Sequence, residues 1–257
     1  MKIILGGALG RMGAEMARAV KTSGDEILLG VDAASENGEI ASSYGAVTVK
    51  GDVLIDFSRP SALPELLDLI VRENLPAVLC ATGYSADELE KIRKAAERVP
   101  ILRSANMSLG VNVMLELVDM AARSLPGFDA EIIEKHHNQK ADAPSGTALM
   151  LYDALAAARN GESRPTFGRE GKPGPRQQPE IGLHAVRGGT VTGEHEVGFY
   201  GPGEEILITH RAENRSLFAQ GALTAARWLQ GKPAGLYSMR DVVREMLGND
   251  ENKGNAE

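Results

Sequence analysis

The sequence feature that most constrains the fold lies at the N-terminus. Lys2-Ile-Ile-Leu5 is a short apolar run that leads into Gly6-Gly7-Ala-Leu-Gly10-Arg-Met-Gly13, and Ala14-Glu-Met-Ala-Arg-Ala-Val20 follows with helical character. A strand feeding a glycine turn and then a helix lets the backbone reverse tightly and approach a ligand, with the helix-terminal N–H groups aimed at an anion. The spacing is G-x-x-G-x-x-G, a variant of the commonest dinucleotide fingerprint. The next strand, Glu26-Ile-Leu-Leu-Gly-Val-Asp32, ends in an acid 19 positions after Gly13. An acid in that place binds the adenosine ribose hydroxyls and repels a 2′-phosphate. Ala33 and Ala34 follow it with no cation beside them, so the expected cofactor is NADH. Arg11 in the turn is the cation that keeps NADPH possible.

Strand and helix patterns then alternate, which is the signature of a parallel sheet. Strands are expected over 53–57, 77–81 and 101–104, with helices over 61–73 and 85–97. The strand ends Asp56-Phe-Ser58, Cys80-Ala-Thr-Gly83 and Ser104-Ala-Asn-Met107 should share the carboxyl edge, where such sheets hold ligands. Together with Gly7, Ala8, Leu9, Gly10, Arg11, Met12 and Asp32, the residues Cys80, Ala81, Thr82, Ser104, Ala105, Asn106 and Met107 make the candidate cofactor site.

Composition narrows the function class. The net charge is -7 and there is no dense Lys/Arg block, so a nucleic-acid surface is not expected. Cys80 is the single cysteine, which excludes an intramolecular disulfide and a cysteine-rich zinc cluster. The apolar start stops at Gly6 with Arg11 close behind, too short for a secretion signal, and no stretch approaches a membrane span. A cytoplasmic location, with no membrane and no metal, is the expectation.

The chemistry concentrates just past the midpoint, in Glu134-Lys-His-His-Asn-Gln-Lys140-Ala-Asp-Ala-Pro-Ser145-Gly-Thr147-Ala148. A strand over 129–136 leads into it, after a helix over 109–124. His136 and His137, being adjacent on a strand, should point different ways and do different jobs. An imidazole exchanges a proton near neutrality, an effect worth about 100- to 10,000-fold in rate, and Lys140 can hold an anion or act as the acid. Ser145, Gly146 and Thr147 open an apolar helix, and the N–H groups and hydroxyls there suit a carboxylate. The run from Asn160 to Glu180 is rich in glycine and proline and reads as a mobile lid or disorder, with Arg164, Arg169, Lys172 and Arg176 facing a substrate and Glu162, Glu170 and Glu180 offsetting them. Strands over 182–187, 190–200 and 205–212 suggest an antiparallel set. A helix over 216–229 follows, and the tail from Gly248 to Glu257 reads as polar and frayed. The remaining histidines, His184, His195 and His210, lack ligand-like spacing and are expected in the core or at an interface.

With these residues in view, the chain resembles the dihydrodipicolinate reductase (4-hydroxy-tetrahydrodipicolinate reductase) family almost from end to end. The resemblance is carried by Gly7-x-x-Gly-Arg-Met-Gly13, Asp56-Phe-Ser58, Ala105-Asn-Met-Ser-x-Gly-Val-Asn112, Glu134-x-His-His-x-x-Lys-x-Asp-Ala-Pro-Ser-Gly-Thr-Ala148, Arg187-Gly-Gly189, Gly193-Glu-His195 and Thr209-His-Arg-Ala-x-x-Arg215. It departs from the usual family pattern at Cys80-Ala81 and at Met107. The resemblance implies an α/β fold with a Rossmann-type parallel-sheet dinucleotide domain over 1–107 and 216–257. An α+β substrate-binding and tetramerisation domain over 108–215 is implied beside it, with an open, mostly antiparallel sheet. It also implies NAD(P)H-dependent reduction of 4-hydroxy-tetrahydrodipicolinate or dihydrodipicolinate to tetrahydrodipicolinate, in the diaminopimelate route to lysine. His136 and Lys140 are implied as catalytic groups, His137, Ser145, Gly146 and Thr147 as substrate-binding groups for a small dicarboxylate, and a homotetramer as the assembly. The alternatives are another Rossmann-type dehydrogenase of a small dicarboxylate or amino acid, or a non-catalytic NAD-responsive regulator, which retention of both His136 and Lys140 argues against.

Overall fold

The computed structural model describes residues 1–36, 38–161 and 163–248. Most of the expected polar tail, residues 249–257, lies outside the described residues, as does Glu162. The chain forms two compact units, Met1–Leu109 with Arg215–Glu257, and Gly110–Asn214.

The first unit is built on a parallel sheet of six strands, β1 (Lys2–Gly6), β2 (Glu26–Val31), β3 (Val53–Asp56), β4 (Ala77–Leu79), β5 (Pro100–Arg103) and β11 (Gly235–Tyr237), in the order β11-β5-β4-β3-β1-β2. The central strands are buried on both faces, as a helix-covered parallel sheet requires. Alternation along them divides the core in two. Ile3, Leu5, Val53, Ile55, Val78 and Leu102 pack on the side of helices α1 (Arg11–Ser23), α6 (Ser216–Leu229) and α7 (Met239–Met246). Ile4, Leu54, Ala77, Leu79 and Ile101 pack on the side of α2 (Leu63–Arg72) and α3 (Ala86–Ala96). On α6, Ala219, Gly221, Ala222, Ala225 and Ala226 keep that face thin, and a Cβ on Gly221 would run into the Met107 carbonyl. α3 opens on a capping box between Ser85 and Glu88. β11 and α7 follow α6 within residues for which the sequence suggested no element.

The second unit carries a five-stranded mixed sheet of β6 (Asp129–His136), β7 (Arg164–Phe167), β8 (Glu180–Arg187), β9 (Gly193–Gly201) and β10 (Glu204–Ala212), ordered β10-β9-β6-β8-β7. β9 pairs antiparallel with both β6 and β10, whereas β8, expected in the antiparallel set, instead runs parallel to β6 and β7. Helices α4 (Leu109–Ser124) and α5 (Gly146–Ala158) meet one face, burying Ala130, Ile132, Leu183, Val197 and Phe199. The opposite face carries Glu131, Lys135, His184 and Glu194 in ion pairs and hydrogen bonds.

The expectation of a substrate lid over 160–180 needs correction. Part of that run is β7, and its arginines are already paired within the second unit. Arg169 is bidentate to Glu131 at 2.8 and 3.1 Å, Arg176 reaches Asp129 at 2.7 Å and Glu131 at 3.2 Å, and Arg164 reaches Glu180 at 3.2 Å. Burial pushes the Glu131 carboxyl up, but hydrogen bonds from Arg169, His184 and Arg176 outweigh it and hold the group down at about 2.

Candidate active site

On the first unit the candidate binding groups are main-chain amides. Gly7 has φ +71°, and a Cβ there would sit 2.8 Å from the carbonyl of Phe57. A Cβ on Gly13 would overlap the carbonyl oxygens of Ala8 and Gly7, so only glycine lets α1 start this close to the turn. Gly10 is the N-cap of α1 and caps no amide with a side chain, which leaves the helix start suited to an anion. Asp32 stands just past β2, its carboxylate accepting the Leu9 amide and the Ala34 amide, both at 3.0 Å.

Two clefts lie along this edge. One, of about 590 Å³, is lined by Gly7, Leu9, Gly10 and Asp32 together with Arg59, a cation that the sequence reading passed over. The other, of about 320 Å³, is lined by Arg11, Met12, Cys80, Ala105, Asn106 and Met107, with Arg215 and Phe218 beside them. The remaining expected residues are placed less directly. Ala81 is buried and Thr82 is exposed beyond β4. The Ser104 hydroxyl donates to the Asn106 carbonyl at 2.8 Å, as part of a turn, and Ala8 packs beneath the turn near Gly30. Asp56 is buried and accepts the Tyr44 hydroxyl at 2.6 Å and the Ser58 amide at 2.9 Å, which makes it an anchor for the segment that carries Tyr44. The glycine turn, the uncapped helix start and the acid after β2 together fit a dinucleotide.

On the second unit the site is made of side chains. β6 ends at His136, and Glu134, on the same side of the strand as Ala130 and Ile132, is 1 % exposed. Its Oε2 lies 2.5 Å from His136 Nδ1 and accepts an Arg187 N–H at 2.8 Å; its Oε1 accepts a second Arg187 N–H at 2.7 Å and the Ser145 amide at 3.1 Å. Burial pushes the Glu134 carboxyl up, but the hydrogen bonds from Arg187 and His136 outweigh it and hold the group below the ordinary glutamate range. A Cβ on Gly193 would lie 3.2 Å from His136 Nε2, so glycine there leaves that nitrogen room.

His195, on β9 opposite Glu134, packs edge-on to His136 with ring centroids 5.1 Å apart, and its Nε2 is 2.9 Å from the Ser145 hydroxyl. Burial and the neighbouring His136 push its pKa down to about 4. Ser145 is the N-cap of α5, its hydroxyl accepting the Ala148 amide at 3.2 Å. Here the expected carboxylate cradle changes. The Ser145 amide is taken by Glu134 and its side chain is buried, so the exposed part of the helix start is at Gly146, with Thr147 behind it.

His137 lies past the strand in a turn whose Lys140 amide donates to its carbonyl at 3.2 Å. The Lys140 ammonium donates to both oxygens of Asp142 at 2.9 Å, and that bond holds the exposed Asp142 carboxyl below its ordinary range. The structure thus brings His136, Lys140, Ser145, Gly146 and Thr147 to one corner of the second unit. Glu134, Arg187 and His195 join them. The sequence placed these three in motifs, gave Glu134 and Arg187 no task and expected His195 in the core or at an interface, and it is buried; the signal available for Glu134 was parity, which sets it inward with Ala130 and Ile132.

Two family models cover the chain, "Dihydrodipicolinate reductase, N-terminus" over residues 1–107 and "Dihydrodipicolinate reductase, C-terminus" over 110–243. The chain belongs to the dihydrodipicolinate reductase family. It is 44% identical over 248 residues to the 4-hydroxy-tetrahydrodipicolinate reductase of Caldanaerobacter subterraneus subsp. tengcongensis, spanning 95% of this chain and 99% of that one. It is 44% identical to the same enzyme of Clostridium novyi, over 95% and 98% of the two chains. A solved structure, dipicolinate-bound dihydrodipicolinate reductase from Paenisporosarcina sp. TG-14, superposes with a TM-score of 0.77 at 25% identity over 93% of this chain and 97% of that one. A meso-diaminopimelate dehydrogenase from Clostridium tetani reaches a TM-score of 0.53 at 13% identity, which speaks to the fold alone. The reductase reaction is therefore the activity of this chain: reduction of a small cyclic dicarboxylate by a nicotinamide dinucleotide on the diaminopimelate route to lysine. Among the described residues no helix is long and apolar enough to cross a membrane, and no group of three or more His, Cys, Asp or Glu side chains is arranged to hold a metal ion.

Proposed function

We propose that the chain reduces 4-hydroxy-tetrahydrodipicolinate, or the dihydrodipicolinate formed from it, with His136 and Lys140 as the proton-handling and anion-holding pair. The observation that carries this reading is the convergence on Glu134, where one buried carboxylate fastens both His136 and the amide that opens α5. When bound, a reduced nicotinamide would supply hydride to the carbon–carbon double bond conjugated with the substrate C=N bond, water having left the 4-hydroxy form. Charge then passes to the ring nitrogen, and tautomerisation afterwards restores the C=N bond of tetrahydrodipicolinate. The ring nitrogen needs a proton as that charge arrives. His136 presents Nε2 for it, because Nδ1 is committed to Glu134. Lys140 is the second donor; an arriving substrate carboxylate competes with Asp142 for its ammonium. Gly146, Thr147 and the Ser145 cap form the first turn of α5, where the dipole stabilises a carboxylate by roughly 0.3 to 2 kcal/mol. His137 flanks this turn as a further substrate contact.

The glycine turn from Gly7 to Met12 with Asp32 is the proposed dinucleotide seat, completed by Cys80, Ala81 and Thr82 and by Ser104 to Met107. Asp32 favours NADH, since it meets the ribose hydroxyls and repels a 2′-phosphate. Arg59 on the same cleft, with Arg11 in the turn, leaves NADPH as a slower substrate. The edge strand β10 exposes Ile206 and Leu207 at 41% and 48%, a surface that pairing between copies would cover, and on that ground we assign the chain to a homotetramer; its place in a biosynthetic route is the ground for a cytoplasmic location. Light scattering at four chain masses supports the tetramer, and one chain mass rejects it. Mixing the protein with NADH or NADPH and freshly generated product of dihydrodipicolinate synthase, and following the reduced-cofactor absorbance, tests the reaction. Oxidation faster with NADH is expected; no oxidation of either cofactor overturns the reading.

A further inference from the structure

We infer that Glu134 is a positioning residue of this reduction, holding His136 in the tautomer that leaves Nε2 as the reacting nitrogen, with Arg187 holding Glu134 in turn. The inference rests on the reading of His136 as a proton-transfer group.

A carboxylate on the core-facing side of β6 is unfavourable unless every lone pair is engaged. At Glu134 they are: each oxygen accepts two N–H donors, from His136 and Arg187 on one side and from Arg187 and Ser145 on the other. No acceptor position remains for substrate, so Glu134 acts through its neighbours. An ionised carboxylate only accepts, and the proton it shares with His136 therefore sits on Nδ1. The neutral ring then carries its lone pair on Nε2, and the protonated ring has a single deliverable proton, also on Nε2. When that proton passes to the substrate nitrogen, the ring returns to its neutral Nδ1–H form and Glu134 stays ionised throughout. This is the role an orienting acid plays beside a catalytic imidazole. The other charged or titratable groups facing the ring's surroundings are Arg187 from β8, His195 from β9, and Lys140 with Asp142 from the turn after β6.

The test joins spectroscopy to kinetics. In wild-type protein, long-range 1H–15N spectra should show neutral His136 protonated at Nδ1; an Nε2–H tautomer overturns the inference whatever the variants do. Glu134→Gln keeps the shape but offers one acceptor oxygen where four donors converge. Its kcat should fall about 100-fold or more while KM for NADH stays within about 2-fold, with His136 in mixed tautomers. Arg187→Lys, which keeps a single-point donor, should show a smaller fall of the same kind. A kcat for Glu134→Gln within about 3-fold of wild type, alongside a large loss in His136→Gln, overturns the inference alone. An unchanged kcat in His136→Gln overturns both it and the reading of His136.

Discussion

At the glycine turn the candidate groups are backbone amides beside a half-buried acid, whereas at the β6–α5 corner they are side chains gathered round the buried charge of Glu134. The turn depends on space: Gly7 and Gly13 are required because a Cβ would strike neighbouring carbonyls. The corner depends on charge, since removing any one partner of Glu134 leaves an unpaired group in the interior. The two sites should therefore fail differently, one to added volume and the other to lost charge. Lys140→Ala gives the largest expected effect. It should lower kcat by about 100- to 10,000-fold while NADH dissociation, read by fluorescence, barely moves; a matching loss of NADH binding would place Lys140 in the cofactor site and dissolve the contrast. Gly13→Val adds volume instead of removing charge. NADH affinity should weaken by roughly 10- to 100-fold, about 1.4 to 2.7 kcal/mol, as the start of α1 is forced away from the turn. Unchanged affinity would mean that the turn does not seat the dinucleotide.

What the sequence revealed follows the same division. Glycines that must adopt φ > 0 or admit a close carbonyl are visible in sequence, because few other residues serve there, and so the turn, β1, α1 and Asp32 were legible. β6 and α4 emerged with their observed bounds because apolar spacing and a Pro126-Gly127 break mark them. β7 and β11 did not, being four and three residues long with no alternation to read. The corner was legible only as a motif. That Arg187 reaches Glu134 depends on the parallel register that sets Arg187 beside His136, and that Glu134 takes the Ser145 amide depends on how α5 docks on β6. The same blindness produced the lid expectation. Arg169 and Arg176 read as substrate-facing cations because their partners, Glu131 and Asp129, lie 38 and 47 residues away in the chain.

Asp32→Asn sharpens the account of the turn with a smaller effect. Removing the charge but keeping the shape should shift the NADH to NADPH ratio of kcat/KM about 10-fold toward NADPH, equivalent to about 1.4 kcal/mol. Arg59→Ala should move it the opposite way if Arg59 meets the 2′-phosphate. A ratio unmoved by either change would put cofactor choice outside this cleft.

The smallest effect separates the sites by acid. His195, buried with a pKa of about 4 against an ordinary value of 6.5, binds its proton more readily in the unfolded chain than in the folded one. Between those values the unfolded state takes up more protons, so folding stability is fully present above pH 6.5 and is lost as pH falls toward 4. At about pH 5.5 this amounts to roughly 1 kcal/mol, or a few degrees in Tm. Glu131 adds a further loss, but only below the ordinary carboxylate range, as pH falls toward about 2. His195→Gln removes the titrating ring while keeping an N–H to offer Ser145. Its Tm should therefore fall less than that of wild type between about pH 7.5 and about pH 5.5, whatever its value at neutrality, because carboxylates common to both proteins cancel in the comparison. Equal losses in the two proteins would mean that His195 is solvated enough to protonate in place. The corner would then be held by Glu134 and Arg187 without a dry histidine beside them.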